Sequence, residues 1–430
     1  MTRPLPVVLV ACFAGFVTAL DNSILMVALP TIGRDLGMGT TGLQWVVVSY
    51  MLVFASLMVA AGALGDRYGV RRVLLVGLIG FAVASLGCGT AGSGVSLALW
   101  RAAQGAAAAA VVPTGLAVLR THLDAAHRRT GIVAWTAALA VALAVGPALG
   151  GLLSEAAHWR WIFLGNVPGC VAAAVVAKAC LAPRRPRPIP LPWRSTLALT
   201  AAVFVVTATV LGAQPLAAMI ALSGAACLLF VNAERAAPLF PRALRRDRAF
   251  VGGTAAQALW GLAISGVLFV LPLHLQHTEG FTPLTTGLFF VPAALAVIAG
   301  APAAPPLVAR IGPWRTAAAG LAAVVAGLVA MVAAGPPLLL ACLVVVGFGS
   351  ALTTPLTTAA LDAADERVAG VASASITASR ELAGAFGVAL IGLAHTGGGP
   401  APALLLAAGA VAVALASALV VDAARTRVRP

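Results

Sequence analysis

The stretch from Gly62 to Arg72, GALGDRYGVRR, places one acid, three arginines and three glycines between two long apolar runs. A related stretch, LVARIGPWR, recurs at 307–315, where an arginine, a glycine and a second arginine keep their spacing and Ala309 replaces Asp66. Glycines permit a tight chain reversal, and arginines favour the cytoplasmic side of a membrane. Each stretch is therefore predicted to be a short cytoplasmic loop after the second span of a repeated unit, and the repeat predicts two related halves.

The composition of the chain is that of a membrane protein. Of its 430 residues, 61% are apolar and only 9% are charged, whereas soluble domains have about 25% charged residues. The mean hydropathy is +1.02. The 27 Lys and Arg outnumber the 13 Asp and Glu and give a net charge of +14, an excess that indicates nucleic-acid binding only on a soluble fold. The composition excludes an ordinary soluble protein.

Fourteen apolar stretches are long enough to cross a bilayer as helices, which need about 20 residues each. We therefore predict an all-α polytopic membrane protein with three parts: a six-helix bundle at 1–182, basic linkers with two additional helices at 183–248, and a second six-helix bundle at 249–430. The approximate limits of the fourteen spans are 7–30, 42–64, 73–92, 94–119, 130–154, 161–182, 195–212, 216–233, 249–274, 285–308, 315–333, 336–358, 368–394 and 402–421.

The basic residues predict the orientation of the spans. Most of them fall in alternate loops, while only Arg34 and Arg160 fall in loops on the other face. By the positive-inside rule, both termini are expected in the cytoplasm of a multi-pass protein of the inner (cytoplasmic) membrane, with the lipid bilayer as its surroundings and no nucleic-acid partner. A single lysine, Lys178, among many arginines and alanines indicates a GC-rich bacterial genome.

The sequence offers no pattern typical of an enzyme. The six cysteines lie in apolar runs without metal-ligand spacing, and we interpret them as packing residues. A Ser/His/Asp set, a metal cluster and a phosphate-binding loop are all missing from the sequence. We expect neither catalysis, nor a metal site, nor ATP as the energy source.

Five stretches resemble the major facilitator superfamily and, within it, the fourteen-span drug:proton antiporters. The stretch at 62–72 resembles the loop signature of the superfamily, and RAAQG at 101–105 is similar to its buried arginine motif. LDNSILMVALP at 20–30 resembles the first-helix motif of the antiporter branch, and GPALGG at 146–151 resembles its antiporter motif. WRWIFLGNVP at 159–168 is also typical of this branch, so the resemblance extends over essentially the whole chain.

This resemblance implies a major facilitator fold and a proton-coupled antiporter that exports small hydrophobic or cationic compounds, such as drugs and antibiotics, by alternating access. The implied partners are a small-molecule substrate and protons, with the proton gradient as energy source, no cofactor, and a monomer as the working unit. Two alternatives stay open: a dedicated exporter of one host metabolite or self-made antibiotic, and a nontransporting membrane sensor on the same scaffold.

Two charges lie at bilayer depth in the first half, where charges are costly and usually functional. Asp21 precedes the outer end of its span by about nine residues, and Arg101 follows the outer start of its span by about seven. At about 1.5 Å per residue, both lie roughly 10–14 Å below the outer face and can meet. We hypothesise that Asp21 exchanges a proton and that Arg101 tunes its proton affinity. The alternative is a static ion pair that orients two helices.

Glu381 is a further candidate for proton coupling. It lies near the middle of the thirteenth span beside Arg380, at a position where the related proteins more often have glutamine. Three interpretations stay open: a second proton carrier, a site for cationic substrates, or a group that is neutral or paired with an arginine.

Two motifs predict moving or closely packed elements. An acid beside arginines predicts a cytoplasmic gate that pairs when the inner side is shut and separates when it opens; the gate residues are Gly62, Asp66, Arg67, Gly69, Arg71 and Arg72. A Gly-Pro pair followed by two glycines predicts a kinked, closely packed helix that limits leak, or else a mere packing seam; these residues are Gly146, Pro147, Gly150 and Gly151.

A last group of polar and aromatic residues lies on spans expected to border a cavity. Most aromatic residues at helical spacing pack or contact lipid, so at most half of these candidates are expected to contact substrate. The candidates are Asn22, Gln44, Trp45, Tyr50, Gln104, Gln257 and Trp260.

Overall fold

The structure is a computed structural model that describes residues 4–183, 193–212, 215–236, 244, 246–361 and 369–426. Within those ranges the regular structure is entirely helical. Fourteen helices are long and apolar enough to cross a membrane, which confirms the predicted fold class and number of spans.

The helices are numbered here in chain order. They are α1 Pro4–Leu36, α2 Thr40–Tyr68, α3 Val70–Gly89, α4 Gly94–His122, α5 Ala125–Ala156, α6 Trp161–Cys180, α7 Trp193–Val210, α8 Leu216–Ala236, α9 Arg248–His277, α10 Pro283–Ile311, α11 Pro313–Met331, α12 Pro336–Leu361, α13 Ala369–Gly398 and α14 Pro400–Thr426.

Three of these spans are interrupted. α6 begins as a short turn, Trp161–Leu164, and continues as Asn166–Cys180 after Gly165. α10 contains the 3₁₀ turn Ala301–Ala303, where prolines lack the N–H that a regular helix needs. α12 is interrupted after Ala351 and resumes at Thr354. The break in α6 lies directly before Asn166, a residue of the site described below.

The chain divides into two compact units. One comprises Met1–Phe204 with Leu275–Leu288, and the other comprises Val205–His274 with Phe289–Pro430. This division follows packing, whereas the three-part division at 182 and 248 follows the order of the spans and remains a prediction.

The two units repeat the same packing scheme. In the first unit α3 packs on α4 and α6, and in the second unit α11 packs on α12 and α14. Gly69 before α3 and Gly312 before α11 both have positive φ, 91° and 86°. Such φ values favour glycine, so the two arginine-containing loops need it at the same place. The repeated loop predicted from sequence therefore has the same backbone turn in both halves.

A dry apolar layer fills one end of the first unit. It joins the start of α1 and α3 to the end of α4 and α6, and it includes Val10, Leu74, Leu78, Val118 and Ala177. Asp21, Ser85, Arg101 and Asn166 lie further toward the opposite end of these same helices. The polar residues and the apolar layer therefore occupy different levels along the same helices.

Candidate functional site

The Asp21 carboxylate lies in a fully buried polar network in the first unit. Its Oδ2 accepts from Nη1 of Arg101 in an ion pair in which both side chains are 0% exposed. Its Oδ1 accepts from Nε2 of Gln104 at 2.8 Å and from Nδ2 of Asn166 at 2.9 Å. Both carboxylate oxygens therefore have donors, as a buried anion requires.

Arg101 is held in place by more than its acid partner. Its Nε donates to the carbonyl oxygen of Val46 at 3.3 Å, and its guanidinium carbon lies 4.3 Å from the centre of the Tyr50 ring. Its Nη2 is buried and has no hydrogen-bond partner among the described residues. The guanidinium thus joins α4 to α1 and α2 through one ion pair, one backbone bond and one cation–π contact.

Gln104 lies one helical turn after Arg101 and connects the network to α3. Its Oε1 accepts from Nη1 of Arg101 at 2.6 Å, while its Nε2 donates to Asp21 and to Oγ of Ser85 at 2.9 Å. The side chain is 0% exposed. Sequence reasoning placed Gln104 at a substrate cavity, and the structure places it in the buried charge network instead; a contact with substrate remains a prediction.

Asn166 and Ser85 are members of the network that sequence reasoning missed. Asn166 is the first residue of the longer helical segment of α6 and is 6% exposed. It lies within the WRWIFLGNVP stretch, which was singled out for its resemblance but not for any polar role. Ser85 had no signal, because a serine in an apolar run resembles any other small packing residue.

The start of α6 is anchored so that Asn166 faces α1. Nε1 of Trp159 and Nη1 of Arg160 each donate to Oδ2 of Asp35 at 2.9 Å, near the end of α1. Nη2 of Arg160 also donates to the carbonyl oxygen of Ala91 at 3.0 Å. These bonds connect the α5–α6 turn to the ends of α1 and α3.

The glycines of the predicted antiporter motif lie where helices touch. A Cβ at Gly146 would overlap Ser23, and one at Gly150 would overlap the carbonyl oxygen of Ile24, so α5 packs directly on α1. A Cβ at Gly151 would overlap the carbonyl oxygen of Pro283. This geometry fits the close packing predicted for the motif, and its effect on leak remains a prediction.

The first turn of α10 lies against the same part of α5. A Cβ at Gly287 would overlap the carbonyl oxygen of Pro147. Oε2 of Glu155 accepts from the backbone N–H of Leu284 at 3.0 Å, which satisfies one free donor at the helix start. Pro147 therefore faces the start of α10, and Glu155 acts as its cap.

Only some side chains of the cytoplasmic loop motif contact other residues that the structure describes. Nη2 of Arg71 donates to the carbonyl oxygen of Lys178 at 2.7 Å, and Arg67 lies over the Tyr68 ring at 5.3 Å. Asp66 is exposed and forms no ion pair with any residue that the structure describes. Gly62 has open space around it, and Arg72 is exposed. The structure does not bring the acid onto the arginines, and gating by this motif remains a prediction.

Glu381 is paired with its neighbour. Nη2 of Arg380 donates to Oε1 of Glu381 at 2.8 Å. The side chain of Glu381 is 15% exposed and that of Arg380 is 41% exposed. A Cβ at Gly261 would meet the side chain and backbone of Arg380, so α9 packs against this pair. Of the three interpretations left open, this contact favours an arginine-paired acid.

The remaining cavity candidates divide between the two units. In the first, Gln44 is buried and Trp45 stacks on Phe204 with ring centres 6.3 Å apart, while Oδ1 of Asn22 has no described partner. In the second, Trp260 donates to Oγ of Ser350 at 3.2 Å, and the buried Gln257 bonds to residues of α12. These contacts connect helices, and binding of substrate by these residues remains a prediction.

The network around Asp21 combines one acid, one guanidinium and two side-chain amides in a buried position. A carboxylate can take up a proton, and the fixed charge beside it makes its proton affinity depend on their separation. Among the described residues there is no group of three or more His, Cys, Asp or Glu side chains that would hold a metal ion.

Comparison with known proteins places the chain in a family. The sequence profile of the Major Facilitator Superfamily matches residues 11–388. Multidrug resistance protein Stp of Mycobacterium tuberculosis (strain CDC 1551 / Oshkosh) is 35% identical over 91% of this chain and 76% of its own length. Cephamycin export protein CmcT of Amycolatopsis lactamdurans is 36% identical over 90% of this chain and 84% of its own length. The methylenomycin A resistance protein of Streptomyces coelicolor (strain ATCC BAA-471 / A3(2) / M145) is 34% identical over 91% of this chain and 86% of its own length.

A solved structure gives independent support for the fold. The crystal structure of the peptide transporter POT in complex with sulfate matches with a TM-score of 0.73 and 17% identity, covering 98% of this chain and 94% of that one. At that identity the likeness concerns the arrangement of helices and not the substrate.

Proposed function

The chain belongs to the Major Facilitator Superfamily and is a multi-pass bacterial membrane transporter, and on that premise we propose that it is a proton-coupled antiporter. It exports small hydrophobic or cationic compounds, such as drugs and antibiotics, by alternating access. The observation that carries the proposal is the fully buried Asp21, held by Arg101, Gln104 and Asn166 in a transporter whose relatives include a multidrug resistance protein and antibiotic resistance and export proteins.

The proposed cycle uses one proton site and one substrate site. A proton from outside loads Asp21 and neutralises it, which weakens its bond to Arg101 and favours the inward-facing state. Substrate taken from the cytoplasm or the inner leaflet then binds and displaces the proton. Coupling requires that proton and substrate each bind the two states with different affinity. The proton gradient is the energy source, and no cofactor takes part.

We place the protein in the cytoplasmic membrane with both termini inside, as a monomer surrounded by lipid and without a nucleic-acid partner. The bias of arginines toward alternate loops supports this orientation. Labelling of single cysteines introduced near Arg34 and Arg129 with an impermeant maleimide tests it in intact cells. Only the cysteine near Arg34 is expected to react, and a reactive cysteine near Arg129 would contradict the orientation.

The test of proton coupling is proton release from purified protein. Adding a lipophilic cation such as ethidium to lightly buffered protein should release protons, which a pH-sensitive dye records. Asp21→Asn has no proton to release and should lose the signal while it still binds the cation. In proteoliposomes with an imposed pH gradient, the same variant should transport the cation at least about tenfold more slowly, which corresponds to about 1.4 kcal/mol or more.

Asp124→Asn is the matched control. Asp124 lies in the α4–α5 turn, where the backbone N–H of His127 donates to its carboxylate at 2.9 Å and lowers its pKa. Asparagine caps a helix about as well as aspartate, so this variant should fold, release protons and transport normally. Full proton release by Asp21→Asn would rule out Asp21 as the coupling site.

A second candidate is a dedicated exporter of a single compound. It is favoured by two relatives, a cephamycin export protein and a methylenomycin A resistance protein. Competition separates the candidates: a multidrug exporter should lose ethidium transport in the presence of several chemically unrelated compounds. A dedicated exporter should be inhibited by one chemical class alone.

A further inference from the structure

The amide of Asn166 contacts Asp21, the proposed proton site, from α6, whereas the other two donors to this carboxylate, Arg101 and Gln104, lie on α4. It donates to Oδ1 of Asp21 at 2.9 Å, the same oxygen that accepts from Gln104 at 2.8 Å. Both side chains are buried, so neither bond competes with water. The two carboxylate oxygens are thus held by different partners, with Arg101 on Oδ2 and two amides on Oδ1.

The two kinds of partner respond differently to protonation. A guanidinium has donors only, so Arg101 favours the charged carboxylate and gains nothing from an acid O–H. A primary amide has two donors and an acceptor, and rotation by 180° about its last bond exchanges them. Asn166 can therefore donate to the carboxylate or, once rotated, accept from the carboxylic acid.

The other groups near Oδ1 are less free to change. Oε1 of Gln104 already accepts from Arg101, and its Nε2 donates to both Asp21 and Ser85. Sγ of Cys88 also donates to Oε1 of Gln104 at 3.8 Å. A rotation of Gln104 would therefore break four bonds, whereas the side chain of Asn166 forms one hydrogen bond among the described residues, to Asp21. If only the Asn166 amide rotates, the O–H of the protonated acid gains a hydrogen-bond acceptor and the bonds of Gln104 are kept.

Titratable and charged side chains lie near Asp21 on four other helices, α2, α3, α4 and α6. They are Arg101 on α4, Cys88 on α3, Cys170 on α6 and Tyr50 on α2, the last stacked on Arg101. Asn166 is the group from α6 that bonds directly to the carboxylate among the described residues. A change in the protonation of Asp21 therefore reaches α6 directly through this amide, while Arg101 contacts the same helix at the Phe163 ring.

We propose that Asn166 is the positioning residue that sets the proton affinity of Asp21 and transmits its protonation to α6. The inference rests on the proposed function in one respect: it takes Asp21 to be the group that exchanges a proton. In the unprotonated state Asn166 donates to Oδ1. When a proton from water binds Oδ1, the amide rotates and its oxygen accepts from the new O–H; when the proton leaves, the amide returns. Asn166 itself neither gains nor loses a proton.

The anchoring of α6 gives this contact a mechanical consequence. Asn166 follows Gly165 at the break in α6, and the preceding turn is fixed to α1 and α3 through Trp159 and Arg160. The amide thus lies at the junction between a fixed turn and the longer helix. A change at Asp21 therefore acts on α6 at the first residue after its break.

The test is an infrared pH titration of the purified full-length protein without substrate. The carbonyl stretch of a protonated carboxyl is resolved from that of a carboxylate, and the band that disappears in Asp21→Asn belongs to Asp21. Asn166→Leu removes a donor to the charged form, so the midpoint of this band should move to higher pH by about one unit. Its frequency should also rise, because the acid O–H has lost its acceptor.

Two further variants keep the test falsifiable. Asn166→Asp keeps the shape of the side chain and adds a second carboxyl against the first, so the titration should divide into two steps with the later one at higher pH. Thr18→Val is the matched control: Thr18 is buried on the same helix as Asp21 and bonds only to carbonyl oxygens of its own helix. It should leave the midpoint and frequency unchanged.

The outcomes separate the claims. The positioning role is overturned if both Asn166 variants titrate the Asp21 band with the same midpoint as the native protein and Thr18→Val. An unchanged band frequency in Asn166→Leu overturns the rotation of the amide. Because this titration uses no substrate and no gradient, it reports on Asn166 even if proton release shows that Asp21 does not couple to export. Conversely, loss of coupling in Asp21→Asn says nothing about the Asn166 result.

Discussion

Asp21 and Glu381 are both acids paired with an arginine inside a span, but their surroundings differ. The Asp21–Arg101 pair is 0% exposed, bridges two helices and includes two amide donors. The Glu381–Arg380 pair joins neighbours on one helix, and its arginine is 41% exposed. Removing one partner of a buried pair leaves an uncompensated charge, whereas an exposed pair contributes little. We therefore expect the Asp21–Arg101 pair to affect the free energy of unfolding more than the Glu381–Arg380 pair does.

The buried pair should behave as one unit in a double-mutant cycle. Asp21→Leu and Arg101→Leu are each expected to lower the free energy of unfolding by about 3–5 kcal/mol, because each leaves one buried charge alone. The double variant should be no less stable than either single variant, since no unpaired charge remains. Thermal unfolding in detergent, followed by circular dichroism, measures the three variants.

The exposed pair between Arg315 and Asp422 provides the comparison. Its atoms lie 2.9 Å apart, but the arginine is 59% exposed. Asp422→Asn should lower stability by less than about 1 kcal/mol. Additive losses in the Asp21–Arg101 cycle would show that the two side chains do not stabilise each other.

At the scale of the helices, glycine positions determine how closely spans approach. A Cβ at Gly150 of α5 would overlap the carbonyl oxygen of Ile24 in α1, and one at Gly387 of α13 would overlap that of Leu262 in α9. The first and fifth helices of each half thus approach each other closely, with a glycine of one helix against the backbone of the other. A backbone atom cannot turn aside as a side chain does, so these contacts do not tolerate an added methyl group.

A pair of alanine substitutions tests this directly. Gly150→Ala should lower the free energy of unfolding by about 1–3 kcal/mol and slow transport, because α5 must move away from α1. Gly409→Ala on α14 has no atom within 4 Å of its added Cβ and should be neutral or stabilising by up to about 1 kcal/mol, since alanine favours helix. Thermal unfolding and ethidium transport measure both variants. Equal effects would show that the α1–α5 contact is not close.

At the scale of the whole molecule, the two halves share helix-packing contacts but differ at the position of the buried cation. A Cβ at Gly105 of α4 would overlap a carbonyl oxygen of α2, and one at Gly347 of α12 would overlap a carbonyl oxygen of α10. Four residues before these glycines stand Arg101 in the first half and Leu343 in the second. The repeat thus keeps its packing glycine and replaces its buried cation, so the proposed proton chemistry belongs to the first half.

This asymmetry makes a prediction for Glu381. Because the Glu381–Arg380 pair joins neighbours on one helix and its arginine is 41% exposed, Glu381→Gln should keep substrate-induced proton release within about twofold of the native amount, whereas Asp21→Asn abolishes it. The pH-dye measurement on purified protein compares the two variants at equal ethidium occupancy. Proton release cut by half or more in Glu381→Gln would instead make this acid a second proton carrier.

Much of this architecture was predictable from the sequence, because it depends on local composition. Runs of about 20 apolar residues determine helices in lipid, so the count of fourteen was correct. The depths of Asp21 and Arg101 follow from counting residues along a helix of fixed rise. Helix ends were less accurate: α1 extends from Pro4 to Leu36, beyond the apolar run at 7–30, because polar residues at the membrane boundary continue the helix.

The sequence by itself determined that this protein is helical, spans a membrane fourteen times, repeats a six-span unit and carries Asp21 and Arg101 at one depth. Only the tertiary structure decided which polar groups surround them. Asn166 and Asp21 are 145 residues apart in the chain and meet because α6 is anchored on the ends of α1 and α3. Hydropathy reports how deep a residue lies but not which side of its helix faces a neighbour. That choice depends on packing between helices, and it brought the amides of Gln104 and Asn166 onto a single carboxylate oxygen.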